Sequence, residues 1–196
     1  MSLTLQNKPS SNFSPVSDGV HSAVCVGVIE KGPTLTTFQG QTKTVNKLNV
    51  IWEVEETTEA GARKTISKSY TASLHPKAQL AKDIGGWRGK PVGENESVDL
   101  TKLLGASCTL VVSTTEAEGG KKFTNVTAIS KPTKKLTASG AFDIRATTQR
   151  LREWSAKNNP KHDDSVFAAQ LGEKVAATEP ASTAAPAPKY DPEVGF

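Results

Sequence analysis

Lys43-Thr-Val-Asn-Lys-Leu-Asn-Val-Ile-Trp-Glu-Val-Glu55 carries the period of a strand: Leu48, Val50, Trp52 and Val54 fall on one side, and Lys47, Asn49, Ile51 and Glu53 on the other. Alternation over this length predicts a half-buried strand, with Glu53 and Glu55 pointing outward toward a solvated end. The preceding run, Ala23-Val-Cys-Val-Gly-Val-Ile29, is continuously apolar and belongs to a strand over Gly19–Lys31 that is covered on two faces. Gly27 sits where such a strand would bend. The following run, Arg63–Ser73, alternates again, and two more strands are predicted over Ala106–Thr114 and Lys121–Lys131. Cys108-Thr-Leu-Val-Val112 reads as another two-faced strand. Lys31-Gly-Pro33, Glu59-Ala-Gly61 and Glu118-Gly-Gly120 supply turns between them.

One helix interrupts the strands. It begins at Pro76, where a missing N–H costs nothing, and places Leu80, Ala81, Ile84 and Trp87 on one face before Gly85-Gly86 stop it. Asp99–Gly105 reads as one short helical turn leading into strand four. The order β-β-β-α-β-β is the wiring of a five-stranded Greek-key barrel of the OB type, with the helix plugging one end. The expected fold class is therefore mainly β. The expected organisation is a flexible arm over 1–18, the barrel over 19–135, a linker with short helices over 136–175 and a disordered tail over 176–196. The short helices are expected over Thr148–Lys157 and Val166–Leu171, the second capped by Asp164 or Ser165. The Ala/Pro/Thr-rich tail, with Pro180, Pro186, Pro188 and Pro192, cannot bury enough apolar surface to order itself.

The chain has 196 residues and a net charge of +4. The excess is local: Val20–Lys135 holds 16 Lys and Arg against 11 Asp and Glu, whereas Leu136 onward holds 7 against 8. A basic barrel fits a polyanionic partner. No stretch approaches the run of about 18 apolar residues that a membrane helix requires, and no membrane partner is expected. The polar start, with Lys8 as its one cation before Pro15, lacks the pattern of a signal peptide, so a cytoplasmic location is expected. Cys25 and Cys108 read as reduced core residues.

No catalytic or metal constellation emerges. Gly85-Gly-Trp-Arg-Gly-Lys-Pro91 fails as a phosphate loop because Pro91 stands where Ser or Thr must bind magnesium. His21, His75 and His162 do not pair with either cysteine at metal-ligand spacing. His162-Asp-Asp164 reads as a solvated linker with a helix cap, and Glu53, Glu55, Glu56 and Glu59 as a strand end rather than a nuclease centre. The expectation is no enzyme, no cofactor and no metal.

Basic and aromatic residues do interleave. Lys64, Ile66, Lys68 and Tyr70 share one face of the third strand, a pattern that can follow phosphates and stack a base. Edge-strand lysines guarding a sheet, with Tyr70 half-buried, are the other reading. Lys43 and Lys47 open the neighbouring strand after a loop over Gly32–Thr42 that carries Phe38, while Lys121, Lys122 and Phe123 leave the loop between the last two strands. Arg88 follows the helix and reaches toward the rim. In an OB barrel these loops and the strand 2–3 face converge on one groove. Trp52 and Trp87 are instead assigned to the core by their parity and helix face. Trp154, on the first C-terminal helix with Leu151 and the arginines 145, 150 and 152 around it, is assigned to a protein partner.

Tyr70-Thr-Ala-Ser-Leu-His-Pro-Lys-Ala-Gln-Leu-Ala-Lys-Asp-Ile-Gly-Gly-Trp-Arg-Gly-Lys-Pro91, followed by Asp99-Leu-x-x-Leu-Leu-Gly-Ala-x-Cys-x-Leu-x-Val, resembles a family of bacteriophage OB-fold single-stranded-DNA-binding replication proteins. The resemblance covers about Val20–Pro132 and rests on scaffold motifs. It implies a sequence-tolerant binder of single-stranded DNA, acting in phage replication or recombination in the host cytoplasm and open to homo-oligomerisation. Single-strand binders of this kind often end in an acidic peptide with a terminal Phe. Here Asp191, Glu193 and Phe196 match, and Lys189 departs from the pattern, so Phe196 is a candidate contact for replication or recombination proteins. The competing expectation is a non-catalytic OB interaction module of a replication complex that touches no nucleic acid.

Overall fold

The computed structural model describes residues 15–116 and 122–173. Most of the arm, Lys121, the 176–196 tail and Phe196 lie outside the described residues. Five strands, β1 (Gly19–Phe38), β2 (Gln41–Thr57), β3 (Arg63–Thr71), β4 (Ser107–Glu116) and β5 (Lys122–Ser130), form one antiparallel sheet in the order β3-β2-β1-β4-β5. Three helices accompany it: α1 (Gln79–Arg88), α2 (Ile144–Asn158) and α3 (Asp164–Leu171). The protein is mainly β. No hydrogen-bonded ladder closes β3 onto β5 among the described residues, although these two edges approach each other.

Alternation in β2 behaves as expected. Leu48, Val50, Trp52 and Val54 enter the main core with Ala23, Cys25, Cys108, Leu110 and Val112. Trp52 is fully buried, its ring 6.1 Å from that of Trp87. β1 is apolar on both sides because it is central and covered twice, by this core within and by α2 and α3 without. Its register slips between Cys25 and Gly27, where a bend was expected. A Cβ on Gly27 would lie 3.3 Å from Ile51 and from Phe142, so the glycine also lets the start of the C-terminal extension seat on the sheet. β4 departs from its expected two-faced burial: Val111 is part-exposed beside Val20.

Several boundaries move for physical reasons. The loop expected over Gly32–Thr42 is hairpin: β1 and β2 stay paired to Phe38↔Gln41, and Gln39-Gly40 turn with φ of 49° and 76°, as a two-residue hairpin turn requires. α1 continues through Gly85-Gly86 to Arg88, and Gly89 at φ 70° ends it, with the Gly89 and Lys90 N–H groups donating to Gly86 and Gly85. The two helical glycines serve packing instead. A Cβ on Gly86 would stand 2.4 Å from the Ile129 carbonyl oxygen of β5, so only glycine lets the helix rest on that strand. Asp163, rather than Asp164 or Ser165, caps α3, and Asp143 caps α2. Val16 is buried in the main core and Ser17 donates twice to Glu56, so the last part of the expected arm is fastened down.

Glu53 corrects an expectation. It is buried, not solvated, and accepts from the N–H and hydroxyl of Ser139 at 2.8 and 2.7 Å. With Arg63 donating to the Thr137 carbonyl, this ties the 137–139 segment to the sheet. Further along, the Gln170 side chain exchanges hydrogen bonds with the Glu30 backbone, and Asn159 donates to the Pro33 carbonyl. β1 has lost its β4 partner by then, since that pairing runs only from Gly19 to Val24. The C-terminal helices thus satisfy backbone groups that the sheet leaves open.

Candidate nucleic-acid interface

A groove of about 1080 Å³ runs between the sheet and α2. Asn49 and Ile51 of β2, Thr65 and Ser67 of β3, and Lys122, Phe123 and Thr124 of β5 line it from the sheet. Phe142, Thr147, Arg150, Leu151 and Trp154 line it from the C-terminal extension. Phe123 is 53% exposed and Trp154 52%, which for large aromatics means that a broad ring surface is open to solvent. Lys122 and Arg150 are exposed and make no salt bridge among the described residues. The one carboxylate in the lining, Asp18, accepts from the Thr114 hydroxyl at 2.6 Å. Apolar floor, two open aromatics and unpaired cations are the components of a surface that stacks bases and follows phosphates.

The β3 face expected to do this points the other way. Ile66 and Tyr70 are buried in the main core, and the row Thr65, Ser67, Ser69, Thr71 is the outward one. Tyr70 is 3% exposed, so it offers no stacking platform. Its hydroxyl donates to Asp83 at 2.8 Å, and burial followed by the Asp83 charge pushes its ionisation far up. Lys68 donates to the same carboxylate at 2.7 Å, with Nζ 5.4 Å from the Tyr70 ring centre, and Gln79 donates to the other Asp83 oxygen at 2.7 Å. This network bolts α1 to β3. Lys64 is held by Glu56 and by the Pro15 carbonyl. Glu56 is correspondingly pulled down to about 2, chiefly by Lys64 and then by the Ser17 N–H. Arg88 pairs with Glu96 at 2.7 Å. Of the expected contacts, Lys64, Lys68, Tyr70 and Arg88 are therefore engaged within the protein.

Lys122 and Phe123 line the groove. Lys43 and Lys47 stand on the β1–β2 hairpin, and by alternation they share the sheet face of Asn49 and Ile51. Phe38 ends β1. Trp154, assigned from sequence to a partner protein, instead shares the groove with Phe123, and Arg150 joins it from the same helix. The signal for both was present as a Trp and an Arg one turn apart, Arg150 and Trp154; what was missing was the sheet face opposite.

Ser155, His162 and Asp164 make a chain of contacts that superficially suggests nucleophilic catalysis, at 3.0 and 3.4 Å. Ser155 is 1% exposed and Asp164 is committed to Arg152. The nucleophile is sealed, and the trio fastens α2 to α3. Among the described residues no cluster of three His, Cys, Asp or Glu could hold a metal ion, and no helix is long and apolar enough to cross a membrane. Burial raises the thiol of Cys25 to about 12 and that of Cys108 further. No protein-family model matches the chain, and no curated protein matches it.

Proposed function

We propose that this protein binds single-stranded DNA with little regard to sequence, on an OB-type barrel, and protects the extended strand during replication or recombination. The observation that carries the reading is the meeting of Phe123 and Trp154 with Lys122 and Arg150 in one groove. Two aromatics give any base a π-face to stack on, and two cations that make no salt bridge among the described residues give the backbone somewhere to lie. The strand order supports the barrel assignment, since β3 and β5 face each other as the two edges an OB barrel brings together, and a helix separates strands three and four. The groove also takes in strands two and three together with Thr114 of strand four and Lys122 of strand five, the region over which that fold carries its ligands.

Binding proceeds by exchange. Cations condensed on the strand are released as Lys122 and Arg150 replace them, and each phosphate so neutralised adds about −0.7 to the slope of log affinity against log salt. Titration with single-stranded and duplex DNA at two salt concentrations tests the proposal. Preference for the single strand with a clearly negative slope is expected. Equal affinity for duplex, or a flat slope, would reject it in favour of a protein-interaction module.

A further inference from the structure

Trp154, which lines the groove, also touches a cation outside it. Lys31 lies half-buried with its Nζ 5.2 Å from the centre of the Trp154 ring, a cation–π distance. It is the extra residue of the second slip in β1, between the pairs Glu30↔Leu48 and Gly32↔Lys47, and so it stands beside Lys47. Neither lysine has a carboxylate partner among the described residues. Burial, then the neighbouring charge of Lys47, makes the Lys31 ammonium easier to deprotonate than an ordinary lysine. Elsewhere this protein pairs its partly buried cations: Lys64 with Glu56, Lys68 with Asp83, Arg152 with Asp164 and Glu173. Two cations brought together without an anion, one of them against an aromatic, are a site that an incoming phosphate would complete.

We propose that Lys31 and Lys47 form a phosphate subsite beside Trp154, over which the strand leaves the groove and runs onto the β1–β2 hairpin. The inference rests on the single-strand reading above. The base on the groove side of this phosphate stacks against the open part of Trp154, and Lys43, two positions further along the same face of β2, lies next on the path. The hairpin therefore lengthens the footprint beyond what the groove alone would cover.

A ladder of oligothymidylates, from the shortest that binds to several times that length, separates the two ideas. The double variant Lys31→Gln, Lys47→Gln should match the wild type on the shortest oligomers. On long ones its salt slope should be shallower by about 1.4, so that between about 50 and about 200 mM salt it loses roughly sevenfold less affinity than the wild type does. Its thermal midpoint without DNA should not fall, because neither charge has a carboxylate partner among the described residues and relief of the Lys31–Lys47 repulsion offsets the lost Lys31 contact with the Trp154 ring. If the wild type binds single strands and the variant keeps the full slope at every length, the subsite is wrong while the groove stands. A lowered midpoint with affinity lost equally at all lengths also overturns it, since Lys31 would then merely hold α2 in place. A wild type that binds no single strand removes both.

Discussion

Two clusters in this protein use the same residue types to opposite ends. On β3, Lys64, Lys68 and Tyr70 are drawn inward and paired with Glu56 and Asp83. Across the outer face, Lys122, Phe123, Arg150 and Trp154 stay exposed, and the two cations make no salt bridge among the described residues. Spacing along a strand does not tell them apart. What separates them is a carboxylate held in contact: α1 brings Asp83 onto β3, whereas Lys122 and Arg150 make no salt bridge among the described residues, although Glu116 stands opposite Lys122 in the β4–β5 pairing. A lysine beside an aromatic becomes a bolt when an acid meets it and stays available to a ligand when none does.

The contrast breaks most sharply at Asp83. Replacing it by Ala leaves the Lys68 ammonium and the Tyr70 hydroxyl without their acceptor in a largely desolvated place, which should cost about 3 kcal/mol of stability. A urea titration would show a lower midpoint at unchanged slope. Single-strand affinity, measured where the variant remains folded, should stay at the wild-type level. A variant of undiminished stability would mean that the network is not what joins α1 to β3.

A matched pair of aromatic substitutions sharpens the same point at smaller scale. Phe123→Ala removes an exposed ring and should weaken single-strand binding by about 1–3 kcal/mol, with stability within about 0.5 kcal/mol of wild type. Tyr70→Phe keeps the buried ring and deletes one hydrogen bond of three to Asp83, so it should lower stability by about 1 kcal/mol and leave binding alone. Affinity and denaturation measured on both proteins decide the matter. Exchange of the two phenotypes would restore β3 as the binding face.

Much of the scaffold is legible in the sequence because it depends on local rules. The period of two in β2 assigned Leu48, Val50, Trp52 and Val54 to the core, and the helical spacing of Leu80, Ala81, Ile84 and Trp87 assigned the face of α1. The hairpin was hidden, although Thr34, Thr36, Thr37, Thr42, Thr44 and Val45 around Gln39-Gly40 are the β-branched flanks and turn that announce one. The site was harder for a different reason. Alternation places Lys64, Ile66, Lys68 and Tyr70 on one face without saying which way that face looks, and lysines argue for the outside. The deciding partner, Asp83, lies 13 residues beyond Tyr70 on α1, and Glu53 finds Ser139 at a separation of 86. Contacts over such distances leave no periodic trace.

The smallest effect concerns Lys64, the outermost member of the inward cluster. Its hydrogen bond, with that of the Ser17 N–H, holds Glu56 near 2 in the folded protein, against an ordinary value of 4.5. Because the folded carboxyl is the more acidic one, the pair contributes its stabilisation fully above about pH 4.5, and loses it as the pH falls through about 2. Both side chains retain some solvent contact, at 9% and 27%, so the contribution is that of a screened surface pair, below about 1 kcal/mol. Glu56→Gln should therefore lower stability slightly at pH 7 and converge with the wild type in acid. The same substitution removes the only carboxylate partner of Lys64 among the described residues and leaves its ammonium on the carbonyl of Pro15, which lines the groove. An inward cation would thereby be turned into an open one, and the salt slope for single strands should steepen by at most about 0.7. A slope unchanged in a protein whose acid titration has flattened would show that removing the acid is not enough, and that Lys64 is held inward by its packing as well.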